Sequence, residues 1–135
     1  MNIGEVMKSP VETLSTKSSI LVATRLMKDK GIKHLPVLDE SGRLTGVVTD
    51  RDLKRASASD ASTLEIHELF YLLDKVLIDD VMTKNPICIA SDDKAQQAAY
   101  LMVTNRIGCL PVVDGDQLVG IITKDDLLQV LAKMA

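Results

Sequence analysis

The stretch Gly46-Val47-Val48-Thr49-Asp50-Arg51-Asp52-Leu53 occurs twice in this chain, the second time as Gly120-Ile121-Ile122-Thr123-Lys124-Asp125-Asp126-Leu127. Val6-Met7 returns as Val81-Met82, Ala23, Leu26 and Met27 as Ala98, Leu101 and Met102, and Leu35-Pro36-Val37 as Leu110-Pro111-Val112, each 75 residues later. After the following turn the spacing becomes 74, because the second turn is one residue shorter. Chance does not hold so many apolar positions in one register, so the two halves share a fold.

The repeated stretch has a direct physical reading. A glycine leads into β-branched residues, which form a buried strand, and the strand ends at a threonine. A helix starts there, with an aspartate in its first turn. Such a junction presents unpaired backbone N–H groups and a partial positive charge, which suits an anionic or polyhydroxyl ligand. Thr-x-x-Asp at a helix start is equally a capping box with Asp in place of Glu, and on the motif alone both readings stand.

Each half reads in the same order. Pro10 to Thr13 is a short extended lead-in; Ser18 or Ser19 caps a helix carrying Leu21, Val22, Leu26 and Met27, and Gly31 ends it. Ile32 to Leu38 is a strand, Asp39-Glu40-Ser41-Gly42 a turn, and Leu44 to Thr49 the returning strand of a hairpin. The second half gives extended Ile87 to Ile89, a helix from about Asp93 to Thr104, strand Gly108 to Val113, the turn Asp114-Gly115-Asp116 and strand Leu118 to Thr123. Its last helix carries Leu127, Leu128, Val130, Leu131 and Met134 on one face. Between the halves, Ala56 to Ala61 reads as a loop or linker. Ser62-x-x-Glu65 resembles a capping box, and Leu69, Phe70, Leu72, Leu73, Val76 and Leu77 give a connecting helix with an apolar face that needs cover. The organisation expected is residues 1–56 as the first motif, 57–78 as linker with connecting helix, and 79–135 as the second motif.

Composition narrows the function. A formal charge of −3 and a pI near 5.3 argue against a nucleic-acid binder, and three aromatic residues (Phe70, Tyr71, Tyr100) supply no base-stacking platform. No run is long enough for a membrane span, and the N-terminus lacks the pattern of a signal peptide. Cys88 and Cys109 each sit in an apolar stretch and read as buried free thiols. A cytoplasmic protein is expected.

The β-α-β-β-α unit, with Val-Met at its head, Leu-Pro-Val on its middle strand and Gly-x-x-Thr-x-x-Asp at its last junction, resembles the cystathionine-β-synthase-type (CBS) domain. Two in tandem resemble a CBS pair, spanning Val6 to about Met134. The connecting segment is similar to that of two-CBS proteins of the acetoin-utilization type. Some of those carry a further C-terminal ligand-sensing domain, and none is expected within these 135 residues. The resemblance implies an α/β (α+β) fold of two pseudo-symmetric motifs packed through their sheets, with two clefts that take AMP, ADP, ATP or S-adenosylmethionine. It also implies a homodimer formed through helices.

By the same resemblance, Asp52 and Asp126 accept hydrogen bonds from ribose hydroxyls, and Thr49 and Thr123 offer a hydroxyl to ribose or phosphate. Carboxylates are acceptors only, and a vicinal diol offers two donors. Val11 with Ile32, and Ile87 with Ile107, are placed for two adenine slots, or belong to ordinary core. Lys33, His34 and Arg51 are the phosphate candidates. The second half has Gly108, Cys109 and Asp125 at those positions, so two unequal sites are expected. The Asp52 site takes the charged nucleotide, and the Asp126 site a nucleoside-like ligand or none, unless Lys124 or Arg106 compensates the acids. No nucleophile constellation, Walker-type loop or metal-ligand spacing is present in the sequence. The expectation is therefore a regulatory adenine-nucleotide sensor and not an enzyme, with no metal or cofactor, acting through a dimer or an unknown regulated protein. The alternative is an interaction or oligomerisation module without ligand.

Overall fold

The computed structural model describes residues 1–61 and 66–134. In chain order the elements are helix α1 (Ile3–Val6), strand β1 (Leu14–Ser15), α2 (Ile20–Lys30), β2 (His34–Leu38), β3 (Leu44–Thr49), α3 (Asp50–Ala61), α4 (Ile66–Lys75), a 3-10 turn (Ile78–Asp80), β4 (Thr83–Lys84), α5 (Ala95–Asn105), β5 (Cys109–Asp114), β6 (Gln117–Thr123) and α6 (Lys124–Lys133). They form two compact units: a central one, Glu12–Asn85, and a split one that joins Met1–Val11 to Pro86–Ala135. The fold is α+β, and the head of each sequence repeat packs into the unit built on the body of the other.

In the central unit, Ser19 caps α2 by accepting from the Val22 N–H at 3.3 Å, and Gly31 ends it in the left-handed region at φ 65°. Both ends are written locally, by a short acceptor side chain and by a residue without a β-carbon. The sheet runs β1-β2-β3-β4, with β1 parallel to β2 and the other pairs antiparallel. Leu35, Val37 and Val48 of β2 and β3 are fully buried against Ile20, Ala23 and Met27 of α2. Each such aliphatic side chain removed from water contributes roughly 1.5–3 kcal/mol.

One expectation is corrected here. Ala56 to Ala61 is not a loop; α3 continues to Ala61. Ala is the strongest helix former, and the modest propensities of Ser and Asp do not stop a helix already nucleated at Asp50. Ser62 to Glu65, with the expected capping box, lie outside the described residues, as do the side chains of Leu69, Phe70 and Leu72. On α4 and the segment after it, Leu73 is buried in the core and Val76 is packed against it, while Leu77 is exposed.

The split unit is built on the β5–β6 hairpin. Ile89 forms a parallel bridge to Val112, and Lys8 an antiparallel bridge to Ile121. Leu110, Val112, Ile122, Ala98 and Ile3 are fully buried. Helix α5 begins at Ala95, not Asp93, because the Asp93 carboxylate accepts from the Ala90 N–H at 2.9 Å and closes the preceding turn. Arg106 occupies the left-handed position (φ 55°) that Gly31 fills in the central unit. The cysteine expectation is also corrected: Cys109 is buried, whereas Cys88 is exposed, and no disulfide joins them.

The apolar face predicted for the last helix exists but is only partly covered within the unit. Leu127 packs on the core, while Leu128, Leu131 and Met134 are more than 60 % exposed, as are Tyr100 and Val103 on neighbouring α5.

Candidate functional site

The two Thr-x-x-Asp junctions have one architecture. In the central unit β2 and β3 pair with His34 opposite Thr49, and the Asp50 N–H donates to the Lys33 carbonyl at 3.0 Å. In the split unit Cys109 stands opposite Thr123, and the Lys124 N–H donates to the Gly108 carbonyl at 3.0 Å. Each strand therefore delivers its threonine to the end of the sheet, where the next residue enters a helix.

Both aspartates close capping boxes. The Thr49 N–H donates to Asp52 Oδ2 at 3.0 Å and the Asp52 N–H to Thr49 Oγ1 at 3.2 Å. The Thr123 N–H donates to Asp126 Oδ2 at 2.8 Å and the Asp126 N–H to Thr123 Oγ1 at 3.3 Å. The structural role of the motif is thus real in both halves, and each reciprocal pair satisfies two helix-end donors.

Beyond the cap, the junctions part. Asp52 is half-buried, and its bond to Thr49 engages one of its two carboxylate oxygens. Asp126 is 7 % exposed; its Oδ2 also accepts from Thr123 Oγ1 at 3.0 Å, and its Oδ1 accepts from Lys8 Nζ at 2.5 Å. The compensating cation of the second junction is Lys8, not Lys124 or Arg106. Sequence reasoning missed it because 118 residues separate the partners. The available signal was the head of the repeat, where Lys8 in one half stands against Thr83 in the other.

Of the phosphate candidates, Lys33 and His34 lie at the start of β2 beside Thr49 and Asp50, with Lys33 exposed and His34 half-buried. Arg51 is exposed in the first turn of α3. The Asp50 carboxylate forms its ion pair with Lys54, at 3.7 Å, and not with Arg51. Of the adenine-slot candidates, half-buried Ile32 lines an open groove of about 520 Å³ with Met27, Asp50 and Leu53, which puts it beside the first junction. Ile107 is half-buried against the core of the split unit, and Ile87 is 39 % exposed. Val11 belongs to the split unit and Ile32 to the central one. Among the described residues no cluster of His, Cys, Asp or Glu could hold a metal ion, and no helix is long and apolar enough to cross a membrane.

The family model of the CBS domain matches residues 3–59 and 78–133, once for each repeat. A CBS domain-containing protein of Dictyostelium discoideum is 31% identical over 98% of this chain and 92% of its own length. The homoserine O-acetyltransferase of Methanohalophilus mahii is 34% identical over 98% of this chain, which spans only 25% of that enzyme. Among solved structures, the CBS domain pair of protein MJ0100 in complex with 5-methylthioadenosine and S-adenosyl-L-methionine superposes with a TM-score of 0.86 at 27% identity, covering 100% of this chain and 98% of that one. A candidate acetoin utilization protein from Vibrio cholerae gives 0.81 at 29% identity, covering 99% and 92%. CBSX2 in complex with AMP gives 0.79 at 26% identity, covering 98% and 97%. With the capped junction standing once in each matched stretch, this chain belongs to the CBS domain family, as a tandem pair.

Proposed function

We propose that this pair is a regulatory module that binds an adenine-containing ligand, AMP, ADP, ATP or S-adenosylmethionine, with its principal site at Asp52. The observation that carries the reading is the carboxylate of Asp52. One oxygen caps the helix, and the second is left to accept from a sugar hydroxyl. Thr49 adds its hydroxyl, Lys33, His34 and Arg51 face the phosphates, and Ile32 flanks the base. Asp126 and Thr123, with Ile87 and Ile107, form a second and weaker site. Two similar pairs, MJ0100 with S-adenosyl-L-methionine and 5-methylthioadenosine and CBSX2 with AMP, support the ligand class.

The ligand acts by population shift, favouring one packing of the halves or of a homodimer, and a regulated protein reads that state in the cytoplasm. The exposed apolar residues of α5 and α6 are the surface through which a second copy docks. The module itself does no chemistry; the enzymes among its relatives are about four times its length.

Calorimetry against AMP, ADP, ATP and S-adenosylmethionine tests the reading. Asp52→Ala should weaken binding about ten- to hundredfold, the worth of one charged acceptor. Because Asp52 also caps α3, unfolding is measured in parallel, so that lost affinity is compared between folded proteins. Absence of heat from every ligand at millimolar concentration would leave the interaction-module reading in its place.

A further inference from the structure

Lys8 and Thr83 hold matching places. The Lys8 backbone exchanges hydrogen bonds with Ile121, N–H to carbonyl at 2.9 Å and carbonyl from N–H at 3.1 Å, while Thr83 pairs with Val47, the counterpart of Ile121. Lys8 is therefore fixed by its own main chain beside the strand that ends at Thr123, and its ammonium reaches Asp126 in the first turn of α6. The acid is 7 % exposed and the lysine side chain 56 %. At the first junction the corresponding residue is a threonine, and no cation among the described residues pairs with Asp52.

We propose that Lys8 is a specificity-determining lock on the second junction, an inference that rests on the ligand reading above. It occupies the carboxylate oxygen that a sugar hydroxyl would need. A charge-assisted bond to a largely buried carboxylate is stronger than a neutral one and weakly screened by salt, so a ligand must displace Lys8 before Asp126 can accept from it. The two junctions of one duplicated sequence are thereby ranked. Asp52 takes ligand first, and Asp126 fills at concentrations about ten- to hundredfold higher. The ranking is set by one residue outside the repeated Thr-x-x-Asp motif.

The test is calorimetric titration of AMP into the wild-type chain and into Lys8→Thr, Thr83→Lys and Asp52→Ala, each exchange installing the other junction's residue. The wild type should show a strong and a weak event, and Asp52→Ala should weaken the strong one about ten- to hundredfold, into the range of the weak one. Lys8→Thr should tighten the weak event about tenfold or more, and Thr83→Lys should weaken the strong event by a similar factor. Should Lys8→Thr fail to fold, Thr83→Lys decides alone. Two equal events in the wild type, a weak event weakened by Lys8→Thr (Lys8 then being a phosphate ligand), or an unaltered strong event in Thr83→Lys would each overturn the lock alone. No heat from any of the proteins would overturn the nucleotide reading and the lock with it.

Discussion

Met82 closes over Gly46 so tightly that a β-carbon on the glycine would stand 2.5 Å from the Met82 sulfur and 2.8 Å from the Thr83 carbonyl oxygen. Met7 and the Lys8 carbonyl close over Gly120 in the same way. The Val-Met head and the glycine of the repeated stretch are two sides of one contact. Gly46→Ala should destabilise the protein by about 1–3 kcal/mol, because the obstruction includes backbone as well as a flexible thioether. Urea unfolding measures it. A midpoint equal to that of the wild type would show that the head moves aside freely.

Arg106→Gly should stabilise. Arg106 holds φ 55° and ψ 46°, where a β-carbon crowds the following carbonyl oxygen, and its N–H donates to the Met102 carbonyl as Gly31 does to that of Met27. Relief of that crowding is worth about 1 kcal/mol, a few degrees in melting temperature. An unchanged or lowered melting temperature would show that the arginine side chain makes compensating contacts.

On the proposal that a second copy docks on α5 and α6, the wild type should sediment as a dimer and Leu128→Lys combined with Leu131→Lys as a monomer, with urea unfolding of the monomer close to the original. Both residues are already more than 60 % exposed, so neither supports its own core. A dimer that survives the double change is held by some other surface.

The Asp114 carboxylate accepts from the Ser91 N–H at 2.9 Å and from Ser91 Oγ at 2.5 Å, and the side-chain bond, then the backbone bond, pulls its pKa below 3.8. A carboxyl whose folded value is depressed stabilises above the unfolded value and loses that stabilisation as pH falls through the folded one. Asp114→Asn should therefore be less stable than wild type at pH 6, with the gap closing as the pH is lowered below 3.8. A gap independent of pH would mean that the bonds, and not the charge, carry the effect.

What was legible in the sequence follows from the reach of each interaction. Ser19, Gly31 and the two Thr-x-x-Asp boxes act within four residues of themselves, so their identity fixes their conformation. The duplication made the fold legible, since the same apolar register had to bury the same hydrophobic faces twice. The length of α3 was misread because the polar composition of Ala56 to Ala61 resembles a linker, and only a helix already running from Asp50 carries it on. Lys8 was illegible as a partner of Asp126, and Met7 as a lid on Gly120, because nothing local ties residues so far apart in the chain. The sequence reading places the inequality of the two sites at Lys33, His34 and Arg51, whereas the difference between the junctions in the structure lies at Lys8.

The crossing of the heads has a consequence for assembly. During synthesis residues 1–11 emerge long before residues 86–135, the body on which they dock, so the earliest part of the chain waits, uncapped, for the latest. A polypeptide interrupted after the first repeat loses the resting place of its own beginning as well as its second half. The same bonds, Lys8 with Ile121 and Met7 on Gly120, can be made by the leading segment of a neighbouring copy. Crowded refolding is therefore where segment exchange between copies is to be looked for.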